Sequence, residues 1–145
     1  MLHKMMSNGK AIMKIFNGIV ITVVGCLLFL PSVYADVSPG QVKEVEHLLE
    51  FVKTSDCVIN RNATEYTGPE GVAHIQRKYE YYREDIETTE DFIRLSATKS
   101  TMSGKYYTVK CPGKVMINTQ RWLLTELEFF RVEEKKRQLN KNKRK

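Results

Sequence analysis

The sequence predicts a small α+β domain: about four helices packed on a short, mostly antiparallel sheet, stapled by one disulfide. Three observations predict it. Several segments between residues 38 and 130 set apolar residues at helical spacing behind capped helix starts. Residues 106–111 alternate as a strand does. Cys57 and Cys111 are the two cysteines left once an export segment is removed, and an even pair in an exported chain reads as a disulfide. They stand 54 positions apart, and closing a loop of that length is worth about 4 kcal/mol on chain-entropy estimates.

The export segment comes first. Lys10 and Lys14 precede an apolar run at residues 15–30, then Pro31 and Val33-Tyr34-Ala35. A positive start, an apolar stretch and small residues at the peptidase positions form a secretory signal, cleaved between Ala35 and Asp36. An uncleaved anchor is the weaker alternative, because the run is short for a bilayer and is broken by Asn17 and two glycines. A second alternative is lipidation, since Val23-Val24-Gly25-Cys26 has the form of a bacterial lipobox. Leu27 to Leu30 is still apolar there, where a polar tether is expected. The organisation is therefore a signal peptide at 1–35, one domain at 36–130, and a basic helix end and tail at 131–145. The address is the periplasm, with a lipid anchor at Cys26 as the alternative.

Charge agrees with one folded body and two basic ends. The chain carries a net +6, yet residues 36–130 hold twelve basic and fifteen acidic side chains. A folded nucleic-acid platform needs a basic stripe on the domain itself, so nucleic acid is excluded as a partner.

The elements follow in order. Ser38-Pro39-Gly40-Gln41 is a helix start, and Val42, Val45, Leu48, Leu49 and Val52 give that helix one apolar face. Cys57-Val58-Ile59 reads as a short strand ending in the turn Arg61-Asn62-Ala63. Thr67 and Glu70 form a capping box for a second helix, with Val72, Ile75, Tyr79 and Tyr82 as its inner stripe. Thr88-Thr89-Glu90-Asp91 opens a third helix, its acids suiting the positive helix start, and Phe92, Ile93 and Leu95 are core candidates. In the strand at 106–111, Tyr107, Val109 and Cys111 share one face and Tyr106, Thr108 and Lys110 the other. Cys111-Pro112-Gly113-Lys114 favours a type II turn, which fits a tight hairpin poorly, so a loose return through Val115-Met116-Ile117 is expected. Asn118 or Thr119 starts a last helix with Trp122, Leu123, Leu124, Leu127 and Phe130 on a wide apolar face. It fades after Glu133 into a polar tail.

Taken together, Arg61-Asn62, the helix bearing Glu70, Ala73 and His74, the run from Ile86 to Ile93, and Ser103-Gly104-Lys105-x-Tyr107-x-Val109 resemble the YfeK-like proteins, a domain of unknown function (family 5329). The resemblance covers roughly residues 48–130. It implies small exported proteins of Gram-negative bacteria and a periplasmic address, and no assigned activity. The chain departs at Ala63, where the family pattern has Gly. If that Gly supplies a positive φ, either the turn differs here or Asn62 takes the left-handed conformation.

Several constellations bear on chemistry. Ser96-Ala97-Thr98-Lys99 has the Ser-x-x-Lys spacing of acyl enzymes, but the companion Ser-x-Asn and Lys-Thr-Gly elements are missing. Ser103-Gly104-Lys105 follows a helix rather than preceding one, so it faces the negative end and makes a poor phosphate cradle. His47 and His74 read as lone surface or edge histidines, and Glu84, Asp85, Glu87, Glu90 and Asp91 as solvated helix caps. The tyrosines are numerous, and Tyr81 and Tyr106 fall opposite the core faces, as binding surfaces use them. The candidate binding surface is therefore Arg61, Asn62, Tyr81, Ser103, Gly104, Lys105 and Tyr106. No catalytic residue, metal or cofactor is implied. The reading favours a binding module of the cell envelope over a small periplasmic hydrolase or a structural accessory without a ligand site. The expected partner is an envelope protein or an anionic envelope polymer, with membrane contact only through the signal segment or the basic tail. Sequencing the exported protein should give Asp36 as its first residue; an acylated Cys26 would replace the soluble reading with an anchored one.

Overall fold

The computed structural model describes residues 39–144, so the signal segment with Ala35 and Asp36, and the lipobox at Cys26, lie outside the described residues. Helix α1 (Pro39–Thr54) buries Val45, Leu48 and Val52 along one stripe. Val42, on the same predicted face, stays 38% exposed one turn earlier. Strands β1 (Val58–Arg61) and β2 (Thr64–Tyr66) form a hairpin. Helix α2 (Gly68–Tyr81) follows, with the Glu70 carboxylate accepting the Thr67 N–H and hydroxyl at 2.8 Å each, so the predicted cap forms. Gly68 is needed where α2 starts, because a Cβ there would sit 2.3 Å from the Val52 carbonyl oxygen.

A single 3₁₀ turn at Arg83–Asp85 leads to a short α3 (Thr89–Phe92). The helix starts where expected, and the Thr88 hydroxyl caps it by accepting the Asp91 N–H at 3.0 Å. The helix then widens into a π turn over Ile93–Ala97, where the Thr98 hydroxyl donates to the Ile93 carbonyl at 2.8 Å. Strand β3 (Thr108–Lys110) buries Tyr107 and Val109 on its inner side as the alternation requires. Gly113 has φ +69 and Lys114 N–H donates to the Cys111 carbonyl at 3.1 Å, which is the expected turn. The return is loose: Val115 and Met116 are exposed, and β4 is only Ile117–Asn118. Helix α4 (Thr119–Asn142) buries Leu123 and Leu127 and leaves Leu124 partly exposed. It does not fade after Glu133; ion pairs Glu133–Lys136 and Glu134–Arg137 lie one turn apart along its outer end.

The four strands run β2-β1-β3-β4, every neighbouring pair antiparallel. Ile59 and Val109 pair directly and face the helices, with Leu48, Ile86, Phe92, Ile93 and Leu123 filling the core between. Cys57 and Cys111 are joined, S–S 2.01 Å, one step beyond the Val58–Lys110 pair. A polar clamp ties α1, α3 and α4. Arg131 donates to Glu44 at 2.7 Å and to Glu90 at 2.6 Å, and the fully buried Thr89 hydroxyl donates to Glu44 at 2.6 Å. The guanidinium holds both carboxyls below the usual carboxylate range.

The β1–β2 turn resolves the Ala63 question. Both Asn62 (φ 52) and Ala63 (φ 66) are left-handed, as a two-residue type I′ hairpin requires. Asn tolerates that conformation; Ala pays a steric penalty of about 1 kcal/mol or more. Ala63→Gly should raise the urea midpoint, corresponding to a gain of up to ~1 kcal/mol; an unchanged or lower midpoint would show that the turn carries no strain.

Candidate functional site

The pleat that sends Ile59 inward also sends Arg61 inward, because alternate residues of a strand share a face. Arg61 therefore occupies a core-facing position at the end of β1. Its guanidinium carbon lies 4.9 Å from the Tyr66 ring centre and 5.2 Å from that of Tyr107. Such stacking compensates a cation only in part, worth ~0.5–2 kcal/mol depending on desolvation. No carboxylate is paired with Arg61 among the described residues, and its buried Nε has no hydrogen-bond acceptor there. Beside it runs a narrow cleft of about 10 Å³ lined by Arg61, His74, Tyr107, Thr119 and Trp122, which has room for roughly one water.

Helix α2 delivers the rest. Gly71 lets it lie close on the sheet, a Cβ there meeting Ile59 at 2.5 Å, and so His74 and Lys78 hang beside Tyr107. His74 Nε2 is 3.2 Å from the Tyr107 hydroxyl, and the two rings meet edge to face. Lys78 Nζ donates to the Lys99 carbonyl at 2.8 Å and stands 5.7 Å from the ring centres of both Tyr82 and Tyr107. Burial, reinforced by the charges of Arg61, Lys78 and Arg77, pushes His74 down to about 4, so the imidazole is neutral at pH 7. Burial and the charges of Arg61 and Lys99 also lower Lys78. The charges acting on both groups are all positive. The result is a row of alternating rings and cations, Tyr66, Arg61, Tyr107, Lys78, Tyr82, with Tyr81 packed edge-on at its end.

Of the residues read as a candidate surface, Arg61 stands in this row and Tyr81 packs on its end. Asn62 and Ser103 meet, the Ser103 hydroxyl donating to the Asn62 side-chain oxygen at 2.8 Å. Gly104 has φ +68 and closes a tight loop through Gly104 N–H to the Ser100 carbonyl at 3.0 Å. The Ser103 N–H is held by the Ser100 hydroxyl at 3.2 Å, so the loop amides are engaged within the loop rather than pointed at a ligand. Lys105 is exposed, as are Tyr106 at 59% and Tyr81 at 79%. Sequence reasoning missed His74, Lys78 and Tyr107 as site residues. The signal was available for Arg61 and Tyr107 in the pleat, whereas His74 and Lys78 flank the α2 stripe at positions that periodicity leaves on the border.

The other constellations separate. Ser96 is fully buried with no partner for its hydroxyl among the described residues, while Lys99 is exposed, so the two share no cleft. His47 is not a lone surface group: its Nε2 lies 2.7 Å from Glu126 and its ring stacks on Phe130 at 4.1 Å. Glu90 belongs to the Arg131 clamp and Asp91 pairs with Arg94 at 2.7 Å. Among the described residues no group of His, Cys, Asp or Glu is placed to hold a metal ion, and no helix is long and apolar enough to cross a membrane.

A histidine whose folded pKa is depressed binds its proton more readily in the unfolded chain. Folding stability contributed by neutral His74 is therefore present above about pH 6.5 and is lost as pH falls towards about 4. His74→Gln should flatten that decline in urea midpoints measured from pH 7 to pH 4; an unaltered slope would place the titration elsewhere.

Comparison with known proteins agrees with the resemblance. The uncharacterised protein YfeK of Salmonella typhimurium is 35% identical over 90 residues, spanning 61% of this chain and 74% of YfeK. No solved structure matches. A family model described as a family of unknown function, DUF5329, matches residues 39–131, from the start of α1 to the Arg131 clamp; the chain belongs to this family.

Proposed function

We propose that this chain is a non-catalytic binding module of the bacterial envelope, exported to the periplasm, which holds an anionic group of an envelope protein or polymer at the Arg61–Lys78 row. The observation that carries this reading is Arg61: a cation at a core-facing register, stacked between two tyrosines, with no anion in reach and a buried Nε without an acceptor among the described residues. Arg61 is half-buried, and a partly desolvated charge without a partner carries a cost that stable folds normally offset by pairing. An arrangement that holds Arg61 and Lys78 beside one ring, repelling each other, is stabilised by whatever negative group binds there. The exposed Tyr81, packed edge-on against Tyr82 at the end of the row, adds apolar contact area with a polar tip.

The outer half of α4 supplies a second, weaker attraction. Lys135 lies among the ion-paired residues, and Lys141, Lys143 and Arg144 lie beyond them on or just past the helix; their pull on an anionic surface decays over a Debye length of ~10 Å at ordinary salt. Because Arg131 clamps the fold, a truncation that probes this tail must begin after it.

Poly-L-glutamate serves as a test anion. The exported chain should be retained on it, and Arg61→Gln and Lys78→Gln should each weaken retention about tenfold, the equivalent of ~1.4 kcal/mol. Truncation after Glu134 should lower retention mainly at low salt. Equal retention of wild type and both point variants, with folding confirmed by circular dichroism, would remove the row as the binding site.

A further inference from the structure

The row holds two permanent charges and a third that is latent. Arg61 and Lys78 lie 5.2 and 5.7 Å from the centre of the same Tyr107 ring, and His74 Nε2 lies 3.2 Å from the hydroxyl of that tyrosine. Building on the anion-binding reading above, we infer that the ligand of this site is a divalent oxyanion of the phosphate or sulfate type, gripped by Arg61 and Lys78 and by a His74 that takes up a proton as the ligand enters.

Charge matching argues for two negative charges. A monoanion leaves one of the two cations uncompensated; a dianion neutralises both. The groups facing His74 then decide its protonation. Arg61 faces it from β1, Arg77 and Lys78 from its own helix, and the Tyr107 hydroxyl from the inner end of β3. Trp122 and Thr119 of α4, which share the cleft, are uncharged. Among the described residues no carboxylate opposes the three cations, and the imidazole is neutral at pH 7. A bound dianion cancels the field of those cations and favours the imidazolium.

The hydrogen-bond chemistry completes the coupling. Neutral His74 can accept the Tyr107 phenolic proton at Nε2. Once protonated from solvent, Nε2 donates to the phenolic oxygen instead. The Tyr107 O–H is thereby released to donate to the oxyanion. One proton enters from water, no bond other than hydrogen bonds is exchanged, and the site gains both a charge and a donor.

Sulfate is the probe, because it stays a dianion across the pH range concerned. The His74 imidazole of the intact exported chain is titrated by NMR in sulfate and in chloride at matched ionic strength. Its pKa should rise by at least one unit in sulfate. Sulfate affinity should then increase about fivefold or more as pH falls from 7 to about 4, and His74→Gln should bind sulfate with no such increase. If sulfate shifts the Tyr107 and Lys78 resonances but His74 titrates as it does in chloride, the anion site stands and this inference falls. If sulfate shifts none of these resonances in the wild type, both fall. Vesicles of phosphatidylcholine doped with phosphatidic acid separate the sources of the group. Arg61-dependent sedimentation with doped vesicles assigns it to a lipid headgroup; binding of free sulfate without sedimentation assigns a soluble ion or a polymer-borne ester.

Discussion

The bond between Cys57 and Cys111 joins the two central strands of the sheet, whose residues are far apart in the chain. Bringing such segments together costs loop-closure entropy, and a covalent link removes that cost from folding. The link also sets register. From the joined pair the ladder counts through Val58 with Lys110, Ile59 with Val109 and Asn60 with Thr108. One step further brings Arg61 opposite Tyr107, and their side chains fall on the inner face with Ile59 and Val109. A slip of one residue between the strands would turn Ile59 with Arg61, or Val109 with Tyr107, to the other face. Core and site are therefore fixed by the same constraint.

Two arginines show how differently one side chain is used in this fold. Arg131 sits against two carboxylates and ties α1, α3 and α4; its pairing is complete, and its role is architectural. Arg61 sits against two tyrosine rings and next to another cation, and its buried Nε is unmatched among the described residues. The fold pairs one guanidinium twice over and, among the described residues, leaves the other without an anion, which is why Arg61 is the charge proposed for binding. Both regions draw on stretches that carry the family resemblance: Glu90 belongs to the first, and Arg61, His74 and Tyr107 to the second.

Local chemistry made much of the scaffold legible. The Thr67–Glu70 cap, the Thr88 cap and the Pro112-Gly113 turn formed as their sequences require, because each depends on groups within four residues. The site was legible only in part. Arg61, Asn62 and Ser103 were readable as candidates, and the fold joins Asn62 to Ser103 across 41 positions. His74 and Lys78 were not, since a residue on the border of a helical stripe faces solvent or a neighbour according to how the helix is docked. Likewise nothing local in His47 indicates Glu126 and Phe130, which come from the far end of the chain.

What the sequence determined by itself was the α+β class, the helix starts, the strand alternation and the pairing of its two central cysteines, all consequences of short-range periodicity, capping and cysteine count. What only the tertiary structure decided was the electrostatic character of the inner sheet edge. Whether Arg61, His74 and Lys78 lie among carboxylates or among one another depends on which distant side chains the packing brings within reach. Here it brought three tyrosines and, among the described residues, no acid, and so gathered three separate basic positions into a cationic, aromatic-walled candidate site.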